Sequence, residues 1–376
     1  MPFPPRLAAL PFVAFFALFL QGAHADDIVV GQVADLSGFY ADATRDFTAG
    51  ARTYFDYVNA SGGVHGRHIV LRVADDGGDP ARSVELTVSM LDKEKASVLF
   101  GYVGDANVRA VVRSEAYIRS GVALVGAVAG LDLGAEAANA FFTRASYEAE
   151  VRRAMALFSG LGIRRFALAV APLESTRAVA RKAGEIIASG DGQQTAMREI
   201  PIDGSEPRDV VRELRATNPQ VVFVFADSLA TAAFIKAYRQ NDAATFLVAL
   251  SVVNHTTVME LIGAKFATGT LITQVTPDPL RKGELPIVGE HLRLMKKYRD
   301  EPPSHLTLEG FIAAKTLVMA LQKAPREARR QDIAAALHSL QRADLGGVTM
   351  DFSLGRSRGY GFVDIAFLRR NGTLLR

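Results

Sequence analysis

The alternation of short apolar runs with helical patterns, which begins at residue 28, constrains this chain more than any other feature. Ile28–Ala34 is an apolar run long enough for a buried strand and too short for a helix. Turn residues follow it, and apolar side chains then recur at helical spacing over about 44–59. A second strand-like run covers 68–73, and Asp79-Pro80 then supplies a helix N-cap and a first-turn proline. This β-α-β-α order predicts a parallel sheet covered by helices.

The same alternation continues through the rest of the chain. It includes a predicted helix over about 106–119. A new series of strands and helices starts at about residue 166 and includes a predicted edge strand at 199–202. Together the two series predict an α/β fold with two doubly wound parallel-sheet lobes.

Residues 1–25 have the pattern of a secretory signal peptide. Arg6 supplies the basic start, Leu7–Leu20 the apolar stretch, and Ala23-His24-Ala25 the small residues at a cleavage site. The alternative is a membrane anchor, but the apolar stretch contains a proline and is shorter than the roughly 20 residues that a spanning helix needs. We therefore expect export, with Asp26 as the first residue after cleavage.

The charge and cysteine content exclude several classes of partner. The formal net charge is only +3, so a small surplus of Lys and Arg, without a long basic run, does not indicate a nucleic-acid surface. We expect no nucleic-acid partner. The chain has no cysteine, so it carries no disulfide and no lipid-modified cysteine.

Several segments of the chain resemble a known family. Leu36-Ser37-Gly38, the segment NASGGVHGR at 59–67, Asp75-Asp76 and Asp79-Pro80 resemble, in this order and spacing, the N-terminal lobe of type I periplasmic binding proteins. More specifically, they are similar to the leucine/isoleucine/valine-binding-protein group that feeds ABC importers. The likeness extends through later segments and so covers nearly the whole chain after the predicted cleavage site: Phe100–Gly104, Thr143–Tyr147, Thr273–Pro277 and Ser304–Phe311.

The resemblance implies two α/β lobes joined by a hinge that the chain crosses three times, with a ligand in the cleft. We predict that the first lobe comprises 26–143 plus 277–354 and the second lobe 144–276 plus 355–376. The resemblance also implies a periplasmic, monomeric protein that binds a small molecule, without cofactor or metal, and docks on ABC permease subunits of the inner membrane. The alternative is that the same fold serves as a ligand-sensing module for a membrane receptor or kinase.

The loops that follow the predicted strands supply the candidate ligand-binding residues. In open parallel sheets, ligands bind beyond the carboxyl ends of the strands, where loops and helix N-termini present N–H groups. The residues in these loops that we expect to contact a ligand are Phe39, Tyr40, Tyr102, Gly104, Asp105, Ala127, Ala129, Arg144, Tyr147, Glu174, Asp227, Asn254 and Gln274.

Some of these positions depart from the amino-acid-binding relatives, in which the first lobe holds the ligand carboxylate and the second lobe supplies an acid for the ammonium. Asp105 stands where a small hydroxyl residue is usual, and the loop at 126–130 offers no hydroxyl. The loop that contains Asn254 has no acid, and Asp227 lies one loop away. We therefore expect an amino-acid-like or carboxylate ligand other than a standard branched-chain amino acid, with a carboxylate or aromatic acid held by Arg144 and the tyrosines.

The acidic candidates have structural alternatives. Asp105 is placed either to contact a cationic ligand group or to act as a helix N-cap. Asp227 has the same two alternatives with respect to the next helix. Glu174 can contact a ligand or be a first-turn acid that the helix dipole favours.

Other candidate residues also have more than one interpretation. Arg144 can bind a carboxylate or form a salt bridge at the hinge. Tyr102 and Tyr147 can contact a ligand or pack between the lobes, and Phe39 and Tyr40 resemble an aromatic wall of the first lobe.

Signals for catalysis are weak. The sequence has no G-x-S-x-G, H-E-x-x-H or P-loop motif and no cysteine nucleophile. His65 and His68 lie three residues apart, but a surface pair explains them better than a metal site. We expect a binding protein and not an enzyme.

Overall fold

The computed structural model describes residues 27–130, 133, 139–240, 244–281, 283–353 and 355–375. The predicted signal peptide at 1–25 lies outside the described residues. Within them, no helix combines the length and apolar character needed to cross a membrane.

The first sheet is entirely parallel, as its β-α-β-α sequence pattern predicts. The strands are β1 (Ile28–Ala34), β2 (Ile69–Asp75), β3 (Val98–Phe100), β4 (Leu124–Val125) and β5 (Ala140–Phe141). Their order in the sheet is β2-β1-β3-β4-β5, and Val30 in β1 lies opposite both Leu71 and Val98.

The helices that connect these strands are α1 (Ala41–Ala60), α2 (Pro80–Asp92), α3 (Asp105–Arg113) and α4 (Glu115–Ser120). Asp79 caps α2 as predicted, and its carboxylate accepts hydrogen bonds from the N–H groups of Ala81 and Arg82. The single helix predicted over 106–119 is wrong, because it is two helices. Ser114 is extended (φ −68°, ψ 143°) and its hydroxyl accepts from the N–H of Tyr117, which ends α3 and starts α4.

The second sheet has a parallel centre and an antiparallel edge, in the order β14-β13-β10-β9-β8-β6-β7. Its parallel strands are β6 (Arg165–Val170), β7 (Gln193–Glu199), β8 (Val221–Phe225), β9 (Phe246–Ala249) and β10 (Leu271–Gln274). Every residue of β8 is buried, which explains its uninterrupted apolar sequence. The helices of this part are α5 (Tyr147–Gly160), α6 (Glu174–Ser189), α7 (Arg208–Ala216), α8 (Ser228–Arg239) and α9 (His255–Ala267).

The edge strand predicted at 199–202 was misplaced, because β7 ends at Glu199. Gln193–Glu199 is mostly polar and exposed, since this strand pairs on one side only, with β6. An edge strand exposed in this way lacks the apolar alternation from which half-buried strands are recognised.

After the second sheet the chain returns to the first, and then comes back. The helices α10 (Pro286–Tyr298), α11 (His305–Lys323) and α12 (Arg330–His338) are followed by a small hairpin of β11 (Ala343–Asp344) and β12 (Thr349–Met350). Both α10 and α11 pack on α1. The chain then adds β13 (Asp364–Leu368) and β14 (Leu374–Leu375) to the second sheet.

The structure therefore has two doubly wound lobes, and the predicted fold class is confirmed. The first lobe is the first sheet with the helices that pack on it, and the second lobe is the second sheet with its helices. The chain passes between them after β5, after β10 and after β12. The residue-level division between the lobes stays a prediction.

Two glycines allow α1 and α11 to approach closely. A Cβ atom at Gly50 would lie 1.8 Å from the carbonyl oxygen of Thr307, and one at Gly310 would lie 1.9 Å from that of Phe47. Neither helix could keep this distance with a larger residue at the crossing. This contact holds α11 against the first lobe, and the start of α11 faces the second lobe.

Candidate functional site

A narrow cavity, with about 20 Å³ of free space, lies where loops of both lobes meet. Tyr40 and Asp105 line it from the first lobe, after β1 and β3. The second lobe contributes residues from α5, from α6 and from the carboxyl ends of β8 and β9: Tyr147, Ser175, Thr176, Val179, Phe225, Ala226, Leu250 and Val252. This is the edge at which parallel sheets bind ligands.

Three of the predicted ligand-binding residues therefore line one cavity: Tyr40, Asp105 and Tyr147. Phe39 lies next to them. Its ring packs edge-on against Tyr40, with 4.7 Å between centroids, and it also contacts the apolar core of the second lobe. The aromatic wall predicted at 39–40 thus lies at the junction of the lobes.

Asp105 is 2% exposed. One alternative predicted that it caps a helix, but its side chain makes no capping hydrogen bond. It is the first residue of α3, after Gly104, whose positive φ of 95° sets the direction of the turn. Its carboxylate instead crosses to the neighbouring loop and accepts a hydrogen bond of 2.9 Å from the N–H of Gly130. The side chain is thus positioned by the first lobe and directed at the cavity.

The two cavity tyrosines are held in their neutral form. Burial raises the pKa of Tyr40 well above its ordinary value, and the nearby carboxylates of Asp105 and Asp227 raise it further. Burial and Asp105 likewise raise the pKa of Tyr147, whose ring lies 5.3 Å from the guanidinium carbon of Arg144. Both phenols can therefore donate or accept hydrogen bonds at any physiological pH.

Arg144 was expected to bind the carboxylate group of a ligand, but it does not line the cavity. It is completely buried and pairs with Glu150 at 3.2 Å and with Glu309 at 3.3 Å. Burial alone would lower the pKa of Arg144, but Glu309, Tyr147 and Glu150 raise it above its ordinary value. The guanidinium therefore stays charged, and the alternative of a hinge salt bridge describes its contacts.

Glu150 extends this network into the second lobe. Its carboxylate accepts hydrogen bonds of 2.9 Å from both the N–H and the hydroxyl of Ser251, and it also accepts one from the hydroxyl of Thr273. Arg144 donates to the Ser251 hydroxyl as well. Because Glu309 belongs to α11 of the first lobe, these buried charges link the two lobes behind the cavity.

A second inter-lobe contact involves Asp46, Asn254 and Ser304, which we call the Asp46 bridge. The Asp46 carboxylate, on α1, accepts hydrogen bonds from the Ser304 hydroxyl at 2.7 Å and from the Asn254 side-chain amide at 3.1 Å. Asn254 is also the N-cap of α9. The predicted residue Asn254 therefore contacts the opposite lobe and is not part of the cavity lining.

A pair of histidines lies beside the Asp46 bridge. The Nδ1 atoms of His255 and His305 are 3.2 Å apart, and Nε2 of His305 lies 2.9 Å from the carbonyl oxygen of Ser251. A carbonyl only accepts, so Nε2 of His305 carries the proton and Nδ1 of His255 is the donor to His305. Burial lowers the pKa of His255 to about 4, which keeps His255 itself neutral at neutral pH.

Asp227 caps α8, the structural alternative given for it, with a hydrogen bond of 2.9 Å from the N–H of Ala230. Burial raises its pKa to about 6, and Asp42 also raises it. It follows β8 next to the cavity residue Ala226 without lining the cavity itself.

The remaining predicted residues are not brought to the cavity. The Tyr102 hydroxyl lies 3.0 Å from that of Thr87 in the core of the first lobe, where Ala127 and Ala129 are also buried. Gly104 serves as the turn before α3. Glu174 is exposed and pairs with Arg181 at 2.7 Å, whereas Gln274 is buried and donates to the carbonyl of Thr273.

Sequence reasoning missed the residues that join the lobes: Asp46, Glu150, Ser251, His255, Ser304, His305 and Glu309. A usable signal existed for Glu150 and Glu309, since each is a charged residue among the buried side chains of its helix. A charge at such a position requires a buried partner.

Comparison with known proteins identifies the family. The model for periplasmic binding proteins matches residues 27–369. The Leu/Ile/Val-binding protein homolog 3 of Brucella melitensis is 38% identical over 81 residues, which are 21% of this chain and 22% of that relative. The match thus spans about a fifth of the length of the curated relatives.

Solved structures match over nearly the whole chain. A substrate-binding periplasmic protein from Ralstonia solanacearum has a TM-score of 0.87 at 27% identity, over 93% of this chain and 99% of that chain. A solute binding protein from R. palustris in complex with benzoate has a TM-score of 0.79 at 19% identity, over 93% and 95% of the two chains. The family match over residues 27–369, on a fold of two doubly wound lobes, shows that this chain belongs to the type I periplasmic binding proteins.

Proposed function

We propose that the protein is exported to the periplasm, captures a small polar ligand in the cavity between its lobes, and delivers it to the permease subunits of an ABC importer. The observation that carries this proposal is the composition of the cavity wall. Tyr40 and Asp105 come from one lobe, and the rest of the lining comes from the other. A ligand in this cavity contacts both lobes at once, so its binding favours the closed arrangement.

The contacts behind the cavity support hinge closure as the mechanism. The Arg144–Glu309 pair and the Asp46 bridge each connect the two lobes. Ligand contacts in the cavity would add to these contacts between the lobes. A closed surface made from both lobes is what a permease could distinguish from the open form.

The periplasmic location rests on the predicted signal peptide and on the family. The importer as partner rests on the family resemblance, and a monomer is expected on the same ground. The name of the Brucella melitensis relative refers to amino acids, and the R. palustris structure holds benzoate. Both are small organic molecules, so this size class is proposed for the ligand here.

The test is to screen the mature protein, starting at Asp26, for ligands by thermal shift. Calorimetry and small-angle scattering follow for each hit. We expect a ligand that raises the melting temperature to reduce the radius of gyration as well. Ser175→Phe, which fills the cavity, should abolish both effects. Ser189→Phe is the matched control, because it makes the same change at an exposed position of the same helix.

Delivery is tested separately, by uptake of the labelled ligand in cells that lack this protein. Restoration of uptake by the unaltered protein and by Ser189→Phe, but not by Ser175→Phe, is the expected result. Binding without any effect on uptake would contradict the importer role and leave solute binding intact.

A further inference from the structure

The loop at 126–130 has its backbone N–H groups largely engaged by the protein itself. The N–H of Val128 donates to the carbonyl of Tyr102 at 2.8 Å, and that of Gly130 donates to the Asp105 carboxylate at 2.9 Å. Asp105 thus places a buried carboxylate of the protein against an N–H group at the end of the first sheet. An incoming anion would meet this carboxylate instead of the Gly130 N–H group.

The buried cation behind Tyr147 acts electrostatically on Asp105 and Tyr40, but two other carboxylates share it. Arg144 lies behind Tyr147 and is already paired with two carboxylates, Glu150 and Glu309. Arg358 donates to the carbonyl oxygens of Ala129 and Arg144, and it does not line the cavity. No Lys, Arg or His side chain belongs to the cavity lining within the described part of the chain.

Further carboxylates surround the same side of the cavity. Asp227 and Asp35 act electrostatically on Tyr40, as Asp105 does. Asp42 acts on Asp227, and its Oδ2 atom is buried with no hydrogen-bond partner among the described residues. A second anion in this low-dielectric space would be repelled, whereas a cation would be attracted.

The opposite wall of the cavity is apolar. It consists of Val179, Phe225, Leu250 and Val252. The hydroxyl of Thr176 is turned away from a ligand, since it donates to the carbonyl oxygens of Ala171 and Leu173 at 2.6 and 2.9 Å. This wall suits a hydrocarbon body, and the polar side chains that can contact a ligand are Asp105, Tyr40, Tyr147 and Ser175.

We propose that the ligand is a small organic amine with a protonated amino group, an apolar body and no carboxylate. The ammonium donates to the Asp105 carboxylate between the two tyrosine hydroxyls, and the hydrocarbon part contacts the apolar wall. This inference rests on the proposed function, because it assigns the chemistry of the ligand for the same cavity. The proposed amine differs from the ligand expected from the sequence, which was a carboxylate bound by Arg144.

The experiment compares compounds that share a body and differ in the charged group. One series is benzylamine, benzamide and benzoate, and the other is isopentylamine, isocaproate and leucine, each titrated by calorimetry. We expect the amine of at least one series to bind at least about tenfold more tightly than the acid, the amide or the amino acid with the same body. Equal or tighter binding of the acid, the amide or leucine in both series overturns the inference.

The variant Asp105→Asn removes the charge and keeps an oxygen that can accept from Gly130. It should reduce the amine-to-acid preference by about tenfold or more. Asp76→Asn is the control, because Asp76 is also buried in the first lobe but does not line the cavity. An unchanged preference in Asp105→Asn overturns the inference. If this variant does not fold, the compound series on the unaltered protein decides alone.

Failure of the inference can be told apart from failure of the proposed function. Binding of acids or amino acids with closure of the lobes rejects only the amine. A wider screen in which amino acids, sugars, amides and dicarboxylates also fail to bind or to close the lobes rejects solute binding itself, and the amine with it.

Discussion

Arg144 and Glu309 form an ion pair of 3.3 Å between the two lobes, and neither side chain is more than 2% exposed. Glu150 contacts the same guanidinium, so one buried cation faces two buried carboxylates. Burial raises the pKa of Glu309, and Arg144 opposes this. The arginine therefore favours the ionised form of Glu309.

Removal of this cation should strongly destabilise the fold. Arg144→Met leaves two buried carboxylates without their partner, and we expect a loss of about 3–5 kcal/mol in the free energy of unfolding, measured by urea denaturation. Arg181→Met is the control, since Arg181 and Glu174 form an exposed pair and its loss should have no measurable effect. Similar unfolding midpoints for the two variants would contradict the role assigned to Arg144.

The Asp46 bridge should favour the closed arrangement. Asp46→Ala removes hydrogen bonds from both Ser304 and Asn254, each made to a charged group, and such bonds contribute about 1.5–3 kcal/mol. We expect a larger radius of gyration without ligand and an affinity for the ligand that is lower by about tenfold or more. The control is Asp56→Ala, on the same helix but paired with Arg299 at an exposed position. A radius of gyration unchanged by Asp46→Ala would argue against the bridge.

The buried His255 should make the free energy of unfolding depend on pH. The pKa of His255 is about 4 in the folded protein, below its ordinary value of 6.5, so the unfolded chain binds more protons between these values. The stabilising contribution of neutral His255 to the free energy of unfolding is complete above pH 6.5 and is lost as the pH falls toward 4. Asp227 acts in the opposite direction, because its raised pKa of about 6 favours the folded state at low pH.

Because other groups also titrate in this range, the test compares the unaltered protein with the variant His255→Gln. The free energy of unfolding of the unaltered protein, minus that of His255→Gln, should decrease by up to about 1.4 kcal/mol per pH unit as the pH falls through this window. Urea titrations at several pH values measure it. A constant difference would show that His255 is not held neutral by its surroundings.

The close crossing of α1 and α11 should not tolerate a methyl group. Gly50→Ala places a Cβ 1.8 Å from the carbonyl oxygen of Thr307, and we expect a loss of about 1–3 kcal/mol or more in the free energy of unfolding. At Gly289, in α10, a Cβ meets no atom within 4 Å, so Gly289→Ala should be neutral or stabilising by about 0.5–1 kcal/mol. Equal melting temperatures for the two variants would contradict the crossing geometry.

Local patterns in the sequence determined much of this structure. The run Ile28–Ala34 and the cap at Asp79 both lie where they were expected. Each depends on neighbours within a few residues, through side-chain periodicity and capping. Errors came where local signals were weak, as in the polar edge strand at Gln193–Glu199 and the break at Ser114.

The rule that ligands bind at the carboxyl ends of parallel strands led to Tyr40, Asp105 and Tyr147, because strand order alone brings these loops to one edge. It could not separate them from Tyr102 or Ala129, which belong to the same set of loops but turn into the core of the first lobe. Which way a loop side chain points depends on packing between elements, and the sequence carries no local record of it.

What the sequence by itself determined is therefore the order of strands and helices, the two-lobed α/β class, the family and the edge of the sheets where a ligand is expected. The tertiary structure alone decided which partners Arg144 contacts, a question that the sequence left open between a ligand carboxylate and a salt bridge at the hinge. Its partners Glu150, Ser251 and Glu309 come from two helices and a loop, up to 165 positions along the chain from Arg144. Only the folded chain brings such distant charges together, and only then does burial determine which of them stays paired and which faces the cavity.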